Sequence, residues 1–436
     1  MAPATSLLTD HYELTMVEAA LAAGTAQRRS VFEVFARRLP EGRRYGLLAG
    51  TGRVLEGLAD FRFGTAELDF LSNRNVVNEQ TLSFLADFRF SGNITGYAEG
   101  EVYFPGSPLL QVESSFAEAC LLETFLLSVL NFDTAVASAA SRMIAVADNR
   151  PCIEMGSRRT HEQAAVAAAR AAIIAGFATT SNLEAGRSYG LPTAGTAAHS
   201  FTLLHDSERE AFTAQVNTLG KGTTLLVDTY DVEQGVRTAV EVAGPELGGV
   251  RLDSGDLVEQ ARWVRTLLDE LGNTNTRIVV TSDLDEYAIA SLRSAPVDAY
   301  GVGTQLVTGS GHPTAGMVYK LVAREGADGN WKNVAKAATG KASVGGRKSA
   351  YRRINERGRA TEEVVGIDEL PQRGPRDREL IVPMVQDGVL LPGFTGAEGV
   401  ERAIERRKAS IDELPGAARQ MLRGEPVIPT TYVDEN

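Results

Sequence analysis

The middle of the chain alternates between short apolar runs and longer charged stretches with helical spacing. PCIEMG (151–156) precedes THEQAAVAAARAAIIAG, FATTS (177–181) precedes NLEAGRSYG, and PTAGTAAHS (192–200) precedes DSEREAFTAQVNTLG. TTLLVD (223–228), GVRLD (249–253) and RIVVTSD (277–283) each lead likewise into an amphipathic stretch, and DAYGVG (298–303) closes the series. This rhythm predicts parallel strands joined by crossover helices. The strands arrive without a half-and-half break. The pattern therefore predicts an α/β fold, an irregular (β/α) barrel of about seven strands rather than an open doubly wound sheet.

The flanks read differently. DHYELTMVEAALAAG carries apolar residues at helical spacing and stops at Gly24, and VFEVF (31–35) alternates as a strand does. Residues 114–147 predict two helices meeting near Asn131, too apolar for a solvated face and suited to a core or a subunit interface. Basic strand-like sequence follows at 317–355, short strands at 360–392 and a charge-mixed helix at 397–423. The expected organisation is an N-terminal α+β domain over 1–147 completed by 317–355, the barrel with its active site over 148–316, and a C-terminal extension over 356–436.

Composition narrows the function classes. A chain of 436 residues with 43% hydrophobic and 23% charged residues is ordinary globular material, so disorder is excluded as its main state. The net charge of −12 opposes general nucleic-acid binding. No uninterrupted apolar run approaches the ~20 residues that span a bilayer, and the N-terminus lacks a basic segment followed by an apolar one. A cytoplasmic location is expected. Cys120 and Cys152 both sit in apolar surroundings and read as buried, inert thiols.

The predicted strand ends share a character. In a (β/α) barrel they point to one mouth, where reactive groups collect. They carry Gly156-Ser157-Arg158-Arg159, Thr180-Ser181-Asn182, His199-Ser200, Asp228-Thr229-Tyr230-Asp231, Arg251 with Asp253-Ser254-Gly255-Asp256, Ser282-Asp283, and Gly301-Val302-Gly303-Thr304-Gln305. Asp and Ser before a helix are also ordinary caps, but capping does not account for the arginines, the histidine, or Asp253 together with Asp256. Helix N-termini and glycines suit phosphate, Arg158 and Arg159 suit a carboxylate or phosphate, and the aspartates suit a ribose diol or a water-held divalent ion. His199 follows a run of small residues and is a competent phosphoryl acceptor as neutral imidazole. Zinc-ligand spacing, GxSxG and GxxxxGK[ST] are all missing from the sequence, so zincins, α/β-hydrolases and P-loop NTPases are not indicated.

The segments LLTDHYELTM, FARRLP, GSRRTHEQA, TSNLEAG, GTAAHSF, VDTYDVEQG, RLDSGDL, TSDLDE and YGVGTQLVTG, in register from residue 6 to about 355, resemble the nicotinate phosphoribosyltransferase family. The resemblance implies coupling of nicotinate to 5-phosphoribosyl 1-pyrophosphate, with nicotinate mononucleotide and pyrophosphate as products. It also implies ATP hydrolysis through a phosphohistidine, a Mg²⁺ requirement met mainly through substrate phosphates, and a homodimer with shared active sites. Carried over by motif, His199 is the phosphorylated residue and Tyr12 reaches the neighbouring subunit's pyridine ring. Arg158 binds the product phosphate or the ring's acidic group, and Arg251 lies near the nicotinate–ribose junction. Asp253 binds ribose hydroxyls, while Asp283, Gly301 and Gly303 line the sugar-phosphate pocket, with Asp256, Ser282 and Thr304 beside them.

Asp228 is expected to orient His199. By the resemblance Ser181 stands where nicotinamide-using relatives place an Asp, which favours nicotinate over nicotinamide, and the other alternative, quinolinate, needs a second carboxylate clamp beyond the two arginines. Met155 replaces the aromatic residue that many relatives pack on the pyridine. The segment KAATGKASVGGRKSAYR resembles the family's Lys/Gly stretch, with Gly345 at an expected Pro, and offers Lys336, Lys341 and Lys348 as further phosphate ligands. A barrel aldolase or sugar-phosphate isomerase would use the same phosphate loop, but it needs a strand-end Lys or Glu base. A nucleotide-binding regulator is the non-enzyme reading.

Overall fold

In the computed structural model, residues 5–336, 343–369 and 372–433 are described. The chain forms two compact units, Met1–Ser138 with His312–Asn436, and Ala139–Gly311.

The first unit is built on an antiparallel sheet of seven strands. Their order is Trp331–Asn333, Met317–Glu325, Arg29–Ala36, Leu110–Ser115, Asn93–Tyr97, Ile381–Gln386 and Val389–Leu390. All residues of Arg29–Ala36 except the first are buried, so VFEVF is a central strand covered on both faces rather than a half-solvated one. That placement buries Glu33, whose carboxylate lies 2.8 Å from the equally buried ammonium of Lys348. Burial pushes Glu33 up to about 7, and Lys348 opposes the shift. Lys348 is thus committed to a core ion pair and is removed as a phosphate ligand. Lys336 is exposed in this unit, and Lys341 lies outside the described residues.

Residues 356–436 put strands into this sheet and into a second one, ordered Arg378–Glu379, Lys348–Ile354, Ala360–Ile367 and Thr430–Val433. A buried cluster ties them in: the Arg352 guanidinium lies 2.8 Å from both Glu101 and Glu363. Ser410, on the helix Gly396–Glu413, hydrogen-bonds both Arg352 and Glu101.

The helix His11–Ala22 ends as expected, with Gly24 at a φ of +67° just beyond it. The apolar stretch 114–147 does form two helices, Phe116–Cys120 and Glu123–Val146, but they divide at Leu121-Leu122 and not at Asn131. Asn131 stays helical because its amide finds backbone partners outside the helix. Its Oδ1 accepts from Met317 N–H at 2.8 Å and its Nδ2 donates to the Met317 carbonyl at 3.2 Å. By length and composition Phe116–Val146 could cross a membrane, yet 67% of its most apolar window is buried within the fold, as in a core helix.

The second unit holds a parallel sheet of six strands. Their order is Thr179–Thr180, Cys152–Glu154, Ala299–Val302, Arg277–Ser282, Gly249–Leu252 and Thr224–Leu226. Helices follow the strands, and Asn182, Asp231, Asp256 and Asp285 cap four of them by accepting a backbone N–H. The run 192–200, expected as a strand, contributes a single bridge between Thr193 and Thr180. Its small residues offer no side chains to hold a ladder, and at His199 the chain turns into the helix His199–Leu204. The α/β unit is therefore a parallel half-barrel sheet, and closure over seven strands is not seen among the described residues.

Candidate active site

At the C-terminal end of the parallel strands lies a cavity of about 360 Å³. Arg158, Arg251, Asp253, Ser282, Asp283, Gly301, Gly303 and Thr304 line it, together with Met155, Arg159, Ala197, Ala198 and Thr281. Nine of the residues expected at the mouth, Arg159 among them, are thus brought together by the ends of four strands. A parallel sheet does this because every strand delivers its C-terminus to the same side.

His199 opens its short helix beside this cavity, half-exposed. Its Nδ1 lies 3.1 Å from the Thr229 hydroxyl. Its Nε2 faces two carboxylates, Asp228 Oδ1 at 3.9 Å and Asp253 Oδ2 at 3.8 Å. Both carboxylates are themselves fixed. Asp228 Oδ2 accepts from Asp253 N–H at 2.8 Å and from the Ser254 hydroxyl at 3.0 Å. Its Oδ1 is buried without a hydrogen-bond partner. Asp253 Oδ1 accepts from the Thr281 hydroxyl. Glu208 belongs to the same neighbourhood. Burial, then Asp231 and Asp228, push its carboxyl up to about 7.

The cationic side is organised around Arg251. Its Nη1 donates to Thr196 Oγ1 at 2.8 Å, and its Nε is buried without a hydrogen bond. Burial lowers its pKa, Asp253 and Asp228 oppose the shift, and Arg158 adds to it as a neighbouring cation. Two guanidiniums sharing a cavity repel each other until an anion sits between them. Gly301 and Gly303 keep the cavity open: a Cβ on Gly301 would lie 2.5 Å from Thr281 Cγ2 and 2.8 Å from Met155 Sδ. The Met155 thioether therefore packs over Gly301, on the wall where an aromatic ring was expected. Ser282 holds a φ of +150°, seldom adopted by a residue with a Cβ, and its carbonyl accepts from Leu284 N–H at 2.8 Å.

Three expected residues stand elsewhere. Asp256 does not line the cavity; its Oδ1 caps the helix Leu257–Glu270, accepting from Glu259 N–H at 3.2 Å. Ser181 is exposed at the end of Thr179–Thr180 and donates its N–H to the Glu154 carbonyl. Tyr12 lies in the first unit, 46% exposed, its phenol pushed up to about 12 by burial and by Glu123, Glu13 and Asp10. Sequence reasoning passed over Thr281, Thr196 and Glu154. Each is a polar residue at or near the end of an apolar run, and that was the available signal.

Residues 7–131 match the model of the nicotinate phosphoribosyltransferase N-terminal domain, and residues 151–353 match that of the nicotinate phosphoribosyltransferase family. The chain is 55% identical to nicotinate phosphoribosyltransferase pncB1 of Mycobacterium tuberculosis, covering 98% of this chain and 95% of that protein. It is 38% identical to the nicotinate phosphoribosyltransferase of Bacillus subtilis, covering 80% and 74%. The crystal structure of human nicotinic acid phosphoribosyltransferase superposes with a TM-score of 0.83 at 25% identity, covering 97% of each chain.

Proposed function

The chain belongs to the nicotinate phosphoribosyltransferase family, and from that premise we propose that it joins nicotinate to 5-phosphoribosyl 1-pyrophosphate, giving nicotinate mononucleotide and pyrophosphate, coupled to ATP hydrolysis. The observation that carries this reading is the pairing of Arg158 and Arg251 with Asp253, Gly301 and Gly303 around one cavity, with His199 at its edge. The guanidiniums suit a ring carboxylate and phosphates. The carboxylate of Asp253 suits a ribose diol, and the open glycines, Ser282, Asp283 and Thr304 suit the sugar phosphate.

Displacement at the anomeric carbon develops positive charge on the ribose while pyrophosphate departs as an anion. The protein's tasks are to hold the pyridine nitrogen in line and to stabilise the separating charges. His199 attacks the terminal phosphorus of ATP, the bond to ADP breaks, and the nitrogen–phosphorus bond is later cleaved by water. Asp228 orients the imidazole.

Among the described residues no three His, Cys, Asp or Glu side chains converge as a metal-ligand set. The free Oδ1 of Asp228 and the carboxylate of Asp253 fit a Mg²⁺ ion held mainly by substrate phosphates, because that ion keeps its waters and takes only one or two carboxylates. Bound there it would neutralise charge on the departing pyrophosphate.

The exposed Tyr12, with Leu7, Leu8 and Met16 exposed on the same stretch, supports a homodimer in which Tyr12 reaches the partner's ring site. Arg158 and Arg251 support nicotinate over nicotinamide, since a guanidinium pairs with a carboxylate and gains little from a neutral amide. Parallel product analysis with nicotinate, nicotinamide and quinolinate, with and without ATP, tests the reading. Nicotinate mononucleotide formed only from nicotinate and accelerated by ATP is the expected result, and turnover of either other acid or amide at equal rate overturns it.

A further inference from the structure

One buried carboxylate beneath the mouth has no part in the chemistry above. Glu154 ends the strand Cys152–Glu154 and is 0% exposed. Its partners come from two neighbouring loops. Oε1 accepts from Gly156 N–H and Oε2 accepts from the Thr180 hydroxyl. The Thr180 oxygen accepts in turn from Asn182 N–H at 2.9 Å. Asn182 then donates from Nδ2 to the Ser157 hydroxyl at 3.0 Å, returning to the loop that carries Arg158 and Arg159.

Both hydrogen bonds at Glu154 are received by it, one on each oxygen, which fits the ionised carboxylate. Among the described residues it makes no ion pair, so these two neutral donors alone stabilise a charge taken out of water. Burial raises its pKa, and Thr180 and Gly156 oppose the shift. A third loop is engaged sterically. A Cβ on Gly156 would lie 2.2 Å from Val307 Cγ1 and 3.1 Å from the Gly303 carbonyl, so the Gly156 backbone that Glu154 fixes rests against the phosphate loop.

We propose that Glu154 is a positioning residue for the transfer reaction: through Gly156 and Thr180 it locks the Arg158 loop, the Ser181 loop and the Gly303 loop into one mutual arrangement. The proposal rests on the functional reading above. A buried carboxylate without a counter-ion is poor material for stability alone, because an apolar pair of similar shape would avoid the desolvation cost. Its value lies in direction: each oxygen takes one loop, and the Arg158 and Gly303 loops carry groups that line the cavity.

The test compares Glu154→Gln, Thr180→Val and the double variant, with Thr180→Ser as the conservative rescue. In Glu154→Gln the amide presents N–H to one of the two donors, so one loop is released while volume is kept. KM for nicotinate and for 5-phosphoribosyl 1-pyrophosphate should rise between about tenfold and a hundredfold, with kcat changed less. Thr180→Val should reproduce the effect, Thr180→Ser should recover most of it, and the double variant should be no worse than the poorer single. Additive losses, or unchanged KM values with only a lowered melting temperature, would overturn the proposal. If Glu154→Gln does not fold, the Thr180 variants decide by the same criteria. The functional reading is judged separately, by turnover of nicotinate in the unaltered protein. Should that be missing, calorimetric binding of inorganic pyrophosphate supplies the readout, with the same weakening and rescue expected and unchanged binding counting against the proposal.

Discussion

His199 and Asp228 face each other across 3.9 Å, imidazole Nε2 to carboxylate Oδ1, and that oxygen is buried with no other partner. The gap is too long for a hydrogen bond and short enough for a strong field. Asp253 Oδ2 stands on the same side of the ring at 3.8 Å, while Nδ1 faces a neutral hydroxyl, that of Thr229. Two carboxylates favour the tautomer with its proton on Nε2. The lone pair is then on Nδ1, where Thr229 donates to it.

The first expectation concerns which nitrogen is phosphorylated. With the proton held on Nε2, the phosphoryl group is expected on Nδ1, as ¹⁵N–³¹P correlation on the ATP-treated protein would show. Asp228→Asn removes one of the two carboxylate charges facing Nε2 and should slow phosphorylation at least about tenfold. Phosphate on Nε2, or an unchanged rate, would sink this assignment.

Much of the mouth was legible in sequence because a strand end has a signature: a short apolar run, then small or charged residues, then a helix. Arg158, Asp253, Asp283, Gly301 and Gly303 all carry it, and all line the cavity. Asp256 carries it too, but its oxygen is used by a helix cap, and sequence cannot distinguish a cap from a ligand where both need a carboxylate in the same place. The strand expected at 192–200 failed for the opposite reason. Its residues are small enough to border a cavity and therefore too small to build a ladder. Asn131 misled because breakers are judged by local propensity, while its amide is satisfied by Met317, distant in sequence. Lys348 misled similarly: a basic, glycine-rich stretch looks like a phosphate loop, and only the fold shows Glu33 opposite it.

Gly301→Ala is expected to impair catalysis without unfolding the protein. The added methyl would lie 2.5 Å from Thr281 Cγ2 and 2.8 Å from Met155 Sδ. Thr281 holds Asp253 through its hydroxyl, so displacement of its side chain moves the carboxylate next to His199. A fall in kcat/KM of about a hundredfold is expected, in steady-state assays on a protein whose circular dichroism is unchanged.

Arg352→Ala is expected to be a stability defect. Its guanidinium is wholly buried between Glu101 and Glu363, and removing it leaves the buried Glu363 carboxylate without its cation while Glu101 keeps only Arg378. The loss should be about 3–5 kcal/mol in urea unfolding. The contrast is Arg423→Ala, whose pair with Glu41 is largely exposed; its midpoint should stay where it was.

The last expectation follows from Glu208, whose carboxyl is pushed up to about 7 by burial, Asp231 and Asp228. In the unfolded chain the same group titrates at the usual carboxylate value, near about 4.3. Between those two values the folded protein binds the proton and the unfolded chain does not. Stability from this group is therefore present at low pH and is lost as pH rises toward and through about 7, the reverse of a salt-bridged carboxylate. Glu208→Gln removes the titration while keeping shape. The variant should exceed the parent only slightly near pH 5 and clearly in melting temperature at pH 8, where the parent must keep a charge beside Asp228 and Asp231. Equal differences at both pH values would place the Glu208 carboxyl in ordinary solvent, and a larger gain at pH 5 would reverse the sign of the argument.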